Sequence, residues 1–394
     1  MMSDKVIAID ALRTPAGTLG GALKAMTAPQ LGSVVIGALF KNNQLNPDRI
    51  DQVIMGNALP AGIGPCPARQ AALKAGLSNA TLCTTINNGM ASGMMAVTLA
   101  MQLIETNQAD IIIAGGMESM SRVPHYLRDL RTGLDLGHSS LLDGIVADNL
   151  QDTTGKHQQG ELAERFAADS GISRHEQDIY TMESHRRFET ARKKNCFARE
   201  TVRLKYRNKK GEAHLISKDE AAGMPAMEIL FRYPPAYSEE GSVTVANSAP
   251  HADGAAALLL MNREKAVELG FKASTRLISK AVTAHTPARD AAAAAEAMNL
   301  ALQHADKAVS DMDLLEINET FAVSALACSK GLGSDNRLLN IHGGALSLGN
   351  PAGCSGARIL VTLIHALRHH GKQWGCAGIS DGTGGACSVV VHQS

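Results

Sequence analysis

The first residues that could do chemistry lie in a short stretch of small and polar residues, 85–93 (Thr-Ile-Asn-Asn-Gly-Met-Ala-Ser-Gly), followed by an apolar helical segment. The first turn of a helix has unpaired N–H groups and a positive dipole end, so such a stretch presents backbone donors and one side chain to a ligand. The side chain presented here is Met90. A thioether has no proton to lose and is a poor nucleophile, so the best-placed position carries an inert group.

Four other side chains could supply the nucleophile or the base that Met90 cannot provide. His342, His251 and Asp381 lie in glycine-rich or turn-forming segments, and Cys354 precedes a second Ser-Gly pair. A base and a nucleophile could be assembled from them. The competing interpretation is that they are hydrogen-bonded loop residues or, for the cysteine, a small core residue.

Composition limits the class of protein. A chain of 394 residues with 45% apolar residues can bury a large core, and 38 basic against 38 acidic residues give no reason to propose nucleic acid or an anionic membrane as a partner. No apolar run approaches the roughly 20 residues that span a bilayer. The N-terminus passes directly into a strand-like segment, so we expect no signal peptide and a cytoplasmic location. The seven cysteines show no metal-ligand spacing and are expected to be reduced.

The elements that must position these residues alternate between strand and helix. Apolar spacing predicts strands at 6–10 and 52–55 and helices at 29–40 and 67–73. This alternation favours a parallel or mixed sheet covered on both faces. From residue 121 to about 249 charge and aromatic content rise, which indicates an inserted loop domain.

An internal repeat organises the chain. Ser92 and Gly93 before one apolar helix match Ser355 and Gly356 before another, and an Ala-Gly pair follows in the strand after each helix. The two halves are therefore predicted to be one duplicated α/β unit, with a site shared between equivalent glycine-rich loops.

At this level of detail the chain resembles the thiolases, which make or cleave 3-ketoacyl-CoA by Claisen chemistry. The resemblance runs nearly end to end. The matching motifs are 13–15 (Arg-Thr-Pro), 67–72 (Pro-Ala-Arg-Gln-Ala-Ala), 115–121 (Gly-Gly-Met-Glu-Ser-Met-Ser), 171–174 (Gly-Ile-Ser-Arg), 253–256 (Asp-Gly-Ala-Ala), 318–321 (Asn-Glu-Thr-Phe) and 340–358.

The resemblance implies a fold and a domain division. The fold is the thiolase fold, a duplicated five-layered α/β/α/β/α arrangement with an inserted loop domain. The expected boundaries are 1–120 for the N-terminal half, 121–250 for the loop domain, 251–270 for the closing strand of the first half and 271–394 for the C-terminal half.

The family's catalytic positions do not carry over with the fold. Met90 stands where thiolases have the nucleophilic cysteine, and Asn350 stands where they have the activating histidine of a Gly-His-Pro motif. Gly378 is assigned to the acid/base cysteine position. Asn318, which in the family holds an oxyanion-hole water, is retained.

The neighbouring residues are expected to contact a substrate. Gly349 and Ser380 lie in the two altered loops, and His342 and His251 lie in turns near the same face. The backbone N–H groups of Met90 and Ser380, together with Asn318, would form oxyanion sites.

Three functions follow from this pattern. The first is a divergent acyltransferase-type protein that handles an acyl-CoA or related acyl thioester without the standard nucleophile. The second is a non-catalytic thiolase homologue that acts as a ligand-binding or partner subunit. The third and weaker one is ordinary acetyl-CoA C-acyltransferase activity.

The expected ligands and partners follow from the same resemblance. No cofactor and no metal are expected, and CoA or acyl-CoA is the candidate ligand. The family forms homodimers or homotetramers, and an active thiolase paralogue is a further candidate partner.

Overall fold

The computed structural model describes residues 5–134, 136–207, 211–220, 227–334 and 336–394. The strands found there are β1 (Val6–Arg13), β2 (Gly17–Thr18), β3 (Gln52–Gly56), β4 (Leu82–Ile86), β5 (Ile111–Ser119), β6 (His125–Tyr126), β7 (Leu142–Asp143), β8 (Leu204–Arg207), β9 (Ala213–Ile216), β10 (Ala252–Asn262), β11 (Thr275–Ala284), β12 (Leu314–Ile317), β13 (Trp374–Ser380) and β14 (Gly385–Gln393). The α-helices are α1 (Ala28–Asn42), α2 (Pro67–Ala75), α3 (Ser92–Glu105), α4 (Gln159–Ser170), α5 (Arg174–Lys193), α6 (Met227–Leu230), α7 (Arg263–Glu268), α8 (Asp290–His304), α9 (Ala322–Leu332), α10 (Ala345–Leu348) and α11 (Ser355–His370).

The two halves repeat one strand topology. In the first half β3 lies parallel to β5, which is antiparallel to β10, which is antiparallel to β1. In the second half β12 lies parallel to β13, which is antiparallel to β14, which is antiparallel to β11. The equivalent strands β1 and β11 join the two halves, and they pair with each other at one position, Ile7 with Arg276. The predicted duplication is therefore present in the backbone.

Helices form three layers around these two sheet halves. Helices α1 and α2 cover the outer face of the first half, and α8 and α9 cover the outer face of the second. Helices α3 and α11 lie between the halves in a shared core. This confirms the predicted five-layered α/β arrangement, in which the buried middle layer accounts for the apolar character of α3 and for the apolar residues that make up about half of α11.

The two central helices cross where each begins. A Cβ built on Gly356 would lie 2.7 Å from the backbone nitrogen of Met94, and one built on Gly93 would lie 3.0 Å from that of Ala357. Only hydrogen side chains allow the backbones to approach this closely. The Ser-Gly pairs noticed as a repeat therefore bring the N-terminal ends of α3 and α11, and the loops before them, into one place.

The segment predicted as a loop domain runs between the end of β5 and the start of β10. It contributes the two short hairpins β6–β7 and β8–β9 and the long charged helix α5. Its predicted boundaries remain a prediction. Among the described residues, none of the helices has the length and apolar character needed to cross a bilayer.

Candidate active site

Met90 lies in the turn that precedes α3, and hydrogen bonds hold this turn. Ser92 Oγ accepts the Asn88 N–H at 2.8 Å and donates to the Gly89 carbonyl at 2.5 Å. Gly89 has a φ of 51°, and a Cβ there would lie 2.2 Å from the Asp381 carbonyl oxygen. Because the two loops approach so closely, the Met90 N–H donates to that same carbonyl at 3.1 Å. The Met90 backbone donor that we expected at an oxyanion site is therefore already bonded.

The Met90 side chain is 1% exposed and fills the space between the loops of both halves. Its sulfur lies 3.3 Å from Asn350 Nδ2 and 3.6 Å from Thr320 Oγ1. Its terminal methyl lies 3.0 Å from the position that a Cβ on Gly382 would take. A thioether sulfur is a weak acceptor, so these contacts fix the side chain by packing and by a weak hydrogen bond.

Asn350 and Asn318 form a polar pair behind Met90. The Asn350 Oδ1 accepts from Ser355 Oγ at 2.6 Å and from Asn318 Nδ2 at 3.2 Å. Asn318 Nδ2 also donates to Thr320 Oγ1 at 3.1 Å, while Asn318 Oδ1 is buried with no partner among the described residues. The Asn318 amide hydrogens are therefore directed to protein atoms, and its oxygen is the unsatisfied atom of the pair.

The structure does not bring Gly378 to this cluster. Gly378 lies inside β13, and a Cβ there would lie 2.5 Å from Cγ of Met298 in the outer helix α8. Ser380, the last residue of the same strand, immediately precedes the loop that contacts Met90. Gly378 therefore lies outside the Met90 cluster, contrary to the expectation, and Ser380 is the residue of β13 next to the loop that contacts Met90, because only the end of the strand reaches that loop.

An aspartate that the sequence analysis did not single out occupies this loop. Asp290, the first residue of α8, accepts the Gly382 N–H at 3.0 Å, the Gly384 N–H at 3.1 Å and the Ser380 hydroxyl at 3.0 Å. Desolvation, followed by repulsion from Asp381, raises the pKa of Asp290 to about 6. A carboxylate of this chain therefore fills a ring of donors next to Met90.

The two histidines expected to contact substrate take different places. His342 lies against His370, with 3.1 Å between their Nε2 atoms, and burial together with His370 and His369 lowers the pKa of His342 to about 4. His251 pairs through its backbone with Asn350 and is half-buried, and burial lowers its pKa below the ordinary range. Of the two, His251 borders the Met90 cluster, and His342 belongs to a separate histidine group.

The remaining expected residues have structural surroundings. Gly349 has a φ of 93°, and a Cβ there would lie 2.6 Å from the Ala252 side chain, so the loop before Asn350 requires glycine. Cys354 is 1% exposed, and burial raises the pKa of its thiol to about 12. Asp381 Oδ1 accepts from the backbone of Thr383 and Gly385 and shapes its own loop.

A small cavity lies beside the cluster. A cavity of about 10 Å³ is lined by Gln159, Asp290, Phe321 and Gly382 among others, which is roughly the space of one water molecule. The described residues include no group of three or more His, Cys, Asp or Glu side chains arranged to hold a metal ion. Among the described residues, the Met90 sulfur is contacted by the Asn350 amide and the Thr320 hydroxyl, and neither group is a thiol or an imidazole.

Sequence reasoning missed Asp290 because its partners lie about 90 residues away in the chain. The one sequence feature that could have indicated Asp290 is an aspartate shortly after a proline at the start of an alanine-rich helix. This pattern is not specific for a site, because it is also an ordinary way to begin a helix. Thr320 belongs to the 318–321 motif, but the sequence did not indicate its contact with Met90, because that contact forms only where the two halves of the fold meet.

Comparisons with known proteins agree over the whole chain. The model of the thiolase N-terminal domain matches residues 6–264, and that of the thiolase C-terminal domain matches 271–393. "Acetyl-CoA acetyltransferase 1" of Arabidopsis thaliana is 42% identical over 98% of this chain and 94% of its own. "Acetyl-CoA acetyltransferase" of Chromobacterium violaceum is 40% identical over 99% of this chain and 100% of its own.

Solved structures give the same result. The crystal structure of the Bacillus anthracis acetyl-CoA acetyltransferase superposes with a TM-score of 0.96 at 34% identity, covering 99% of both chains. The human mitochondrial 3-ketoacyl-CoA thiolase superposes with a TM-score of 0.95 at 31% identity, also covering 99% of both chains. With both halves matched in order by the family models, this chain belongs to the thiolase family.

Proposed function

We propose that this protein is a thiolase homologue that does not transfer acyl groups through residue 90 and that acts as a non-catalytic, ligand-binding or partner subunit. The observation that carries the proposal is the buried Met90 sulfur, packed against Asn350 Nδ2 and Thr320 Oγ1. The proposal of a degenerate site rests on these residues and their contacts, and not on the names of the relatives.

The nucleophile position argues against a covalent intermediate. A thiolase-type reaction needs a thiolate that attacks a thioester, and a methionine sulfur already bears two carbon substituents and has no proton to lose. Asn350 offers an amide, which donates hydrogen bonds but does not act as a base near neutral pH. Removing the nucleophile and base of one catalytic unit abolishes the reaction rather than slowing it by additive steps.

Two backbone N–H groups of the site also argue against catalysis. The Met90 N–H bonds to the Asp381 carbonyl, and the Gly382 N–H bonds to the Asp290 carboxylate. An oxyanion of a substrate would have to displace a protein acceptor from each donor. Stabilisation of a developing oxyanion depends on donors that are free and already oriented, so both contacts oppose catalysis.

A second candidate is a divergent acyltransferase that handles an acyl-CoA or related acyl thioester. It is favoured by relatives named acetyl-CoA acetyltransferase at 37–42% identity over nearly the whole chain. In the structure its best residue is Ser380, whose hydroxyl donates to Asp290 at 3.0 Å. Turnover that survives in Met90→Ala and is lost in Ser380→Ala would select this function over the first.

For either function, CoA or an acyl-CoA is the proposed ligand. A homodimer or homotetramer is the proposed assembly, and an active thiolase paralogue is the proposed partner for a non-catalytic subunit. Calorimetric titration with acyl-CoA of several chain lengths separates a ligand-binding subunit, which gives saturable heat, from one that acts only through a partner.

Thiolysis of acetoacetyl-CoA by the purified protein tests the proposal. Wild type is expected to show no turnover above the uncatalysed rate. The variant Met90→Cys/Asn350→His/Ser380→Cys is expected to exceed wild type by at least about tenfold, because it restores nucleophile, base and acid/base thiol together.

A matched variant tests the placement of the third residue. It carries Gly378→Cys in place of Ser380→Cys, and we expect no gain from that cysteine because it would face Met298. Wild-type turnover that depends on residue 90 would overturn the proposal.

A further inference from the structure

Three histidines and one cysteine meet outside the contacts that Met90 makes. His342 Nε2 lies 3.1 Å from His370 Nε2, and Cys196 Sγ lies 3.6 Å from His369 Nε2. The ring centroids of His369 and His370 are 4.9 Å apart, and those of His342 and His369 are 6.1 Å apart. We call these four residues the histidine cluster.

The histidine cluster joins three separate segments of the chain. His342 lies in the loop before α10, Cys196 begins the 3₁₀ turn Cys196–Arg199 after α5, and His369 and His370 end α11. His342 is 5% exposed, whereas His369 and His370 are exposed. The cluster therefore runs from the protein interior to the solvent.

The loop that carries His342 is fixed by contacts of its own. Asn340 Nδ2 donates to Glu319 Oε1 at 2.8 Å. Gly343 has a φ of 77°, and a Cβ there would lie 2.6 Å from the Ser184 carbonyl oxygen, so the loop packs tightly on α5. The segments that can separate from His342 are therefore the 3₁₀ turn and the last turn of α11.

The short distance between His342 and His370 requires that at least one of the two imidazoles is neutral. A ring nitrogen that bears a proton donates, and its neighbour must offer a lone pair to accept. When both rings are protonated, two N–H groups point at each other and two positive charges lie side by side, so the contact becomes repulsive. Acid therefore breaks a contact that neutral pH allows.

The nearest charges add to this repulsion. In the part of the chain that the structure describes, the histidines within ion-pair distance of a carboxylate are His125, His157 and His285, and no member of the histidine cluster is among them. The positive charges of Lys194 and Lys372 act on the cluster and oppose its protonation.

The other charged groups on the elements packed here do not compensate a protonated cluster. Lys193 and Arg199 are further exposed cations, and His185 of α5 is buried, which lowers its pKa. The remaining charges have partners of their own, which are Glu183 with Arg187 and Glu189 with Arg192 on α5, Glu200 with Arg13 beside the 3₁₀ turn, and Arg368 with Thr275 on α11.

We propose that the histidine cluster is a pH-sensitive latch that joins the 3₁₀ turn to the end of α11 at neutral pH and releases both from His342 in mild acid. The closed latch needs a neutral His342, and burial followed by His370 and His369 lowers the pKa of His342 from 6.5 to about 4. Opening restores the ordinary pKa, so each unit of pH below 6.5 favours the open form by up to about tenfold. The latch does not depend on the proposed function, because its release is seen in the backbone and not in turnover or ligand binding.

Hydrogen–deuterium exchange of the full-length protein at about pH 7.5 and about pH 5 tests the latch. Protection factors, in which the intrinsic exchange rate at each pH is divided out, report local opening. We expect the protection of the 194–201 and 365–372 peptides to fall by about tenfold or more in acid, while the central helix α3 keeps its protection. No fall in these two peptides, or an equal fall in α3, would overturn the proposal.

Glutamine variants separate the latch from other effects of pH. In His342→Gln, an amide takes the place of the ring nitrogen and stays neutral at both pH values. His370→Gln makes the same change at an exposed position and decides if His342→Gln does not fold. Each is expected to reduce the fall in protection to less than about threefold, whereas His138→Gln, at an exposed histidine outside the cluster, should keep the wild-type fall. The full wild-type fall in either folded cluster variant would contradict the latch.

Discussion

Met90, Asn350 and Ser380 form a coupled set at the scale of single residues. The sulfur of Met90 receives the Asn350 amide, and the loop that follows Ser380 packs on the Met90 methyl and bonds its backbone. If the site does not transfer acyl groups, as we propose, one substitution is not expected to restore the transfer, because residues that act as a unit have strongly non-additive effects.

Asp290→Asn tests the contact between Asp290 and the 380–384 loop. The folded-state pKa of about 6 lies above the ordinary value of 3.8, so the carboxyl stabilises the fold when protonated and that contribution is lost as pH rises through 6. Between pH 4 and pH 7, the unfolding free energy of wild type relative to Asp290→Asn should fall by about 2 kcal/mol, allowing for partial exposure.

Urea unfolding at both pH values measures this difference. Asp129→Asn, the same change at an exposed aspartate, is the control for the substitution itself. A difference between wild type and Asp290→Asn that is independent of pH would contradict the burial of Asp290 and its repulsion by Asp381.

The sequence allowed part of this site to be predicted. Motifs in a fixed order predicted that Met90 and Asn350 lie in the same site, and the structure places the Met90 sulfur 3.3 Å from Asn350 Nδ2; that they replace a nucleophile and a base stays a prediction. The structure places Gly378 inside β13 against Met298, and the sequence could not show this because a short run of small residues does not reveal where the strand ends. Asp290 could not be predicted from the sequence. Nothing in the local sequence distinguishes an aspartate that only begins a helix from one that also accepts hydrogen bonds from a distant loop.

At the scale of elements, the crossing of α3 and α11 decides the geometry of the site. Both helices begin with Ser-Gly, and their glycines touch the partner helix backbone. The loops before these helices carry Met90 and Asn350. A shift of the crossing would therefore separate the two residues.

Gly356→Ala and Gly93→Ala test this crossing. A methyl on Gly356 would lie 2.7 Å from a backbone nitrogen and one on Gly93 would lie 3.0 Å from backbone atoms, so we expect losses of about 1–3 kcal/mol, larger for Gly356. Gly37 of α1 is a matched helix glycine whose Cβ would meet its nearest atom at 3.7 Å. Gly37→Ala should instead stabilise by about 0.5–1 kcal/mol in chemical denaturation. Equal effects at all three sites would argue against the close crossing.

The repeat made these elements predictable, because small residues before an apolar helix recur with the same following strand. The strand order was not predictable in the same way. The pairing of β1 with β10 and of β11 with β14 joins residues far apart in sequence, and only the folded structure shows that both halves use it.

At the scale of the whole molecule, the scaffold is shared with proteins named acetyl-CoA acetyltransferase, and in this chain it carries Met90 and Asn350 where its two halves meet. The TM-score of 0.96 with one such enzyme describes the backbone and does not report what residue 90 can do. The five layers bring two glycine-rich loops together whatever side chains they carry. Fold similarity and loss of the reaction are therefore compatible.

Intact-mass spectrometry after incubation with acetoacetyl-CoA tests the loss of covalent acyl transfer most directly. We predict that wild type keeps its mass, since residue 90 has no group that can form a thioester. The variant Met90→Cys/Asn350→His/Ser380→Cys should gain the mass of one acetyl group, located by peptide mapping to residue 90. An acetyl group found on wild type in the 85–93 or 378–385 loops would contradict the account.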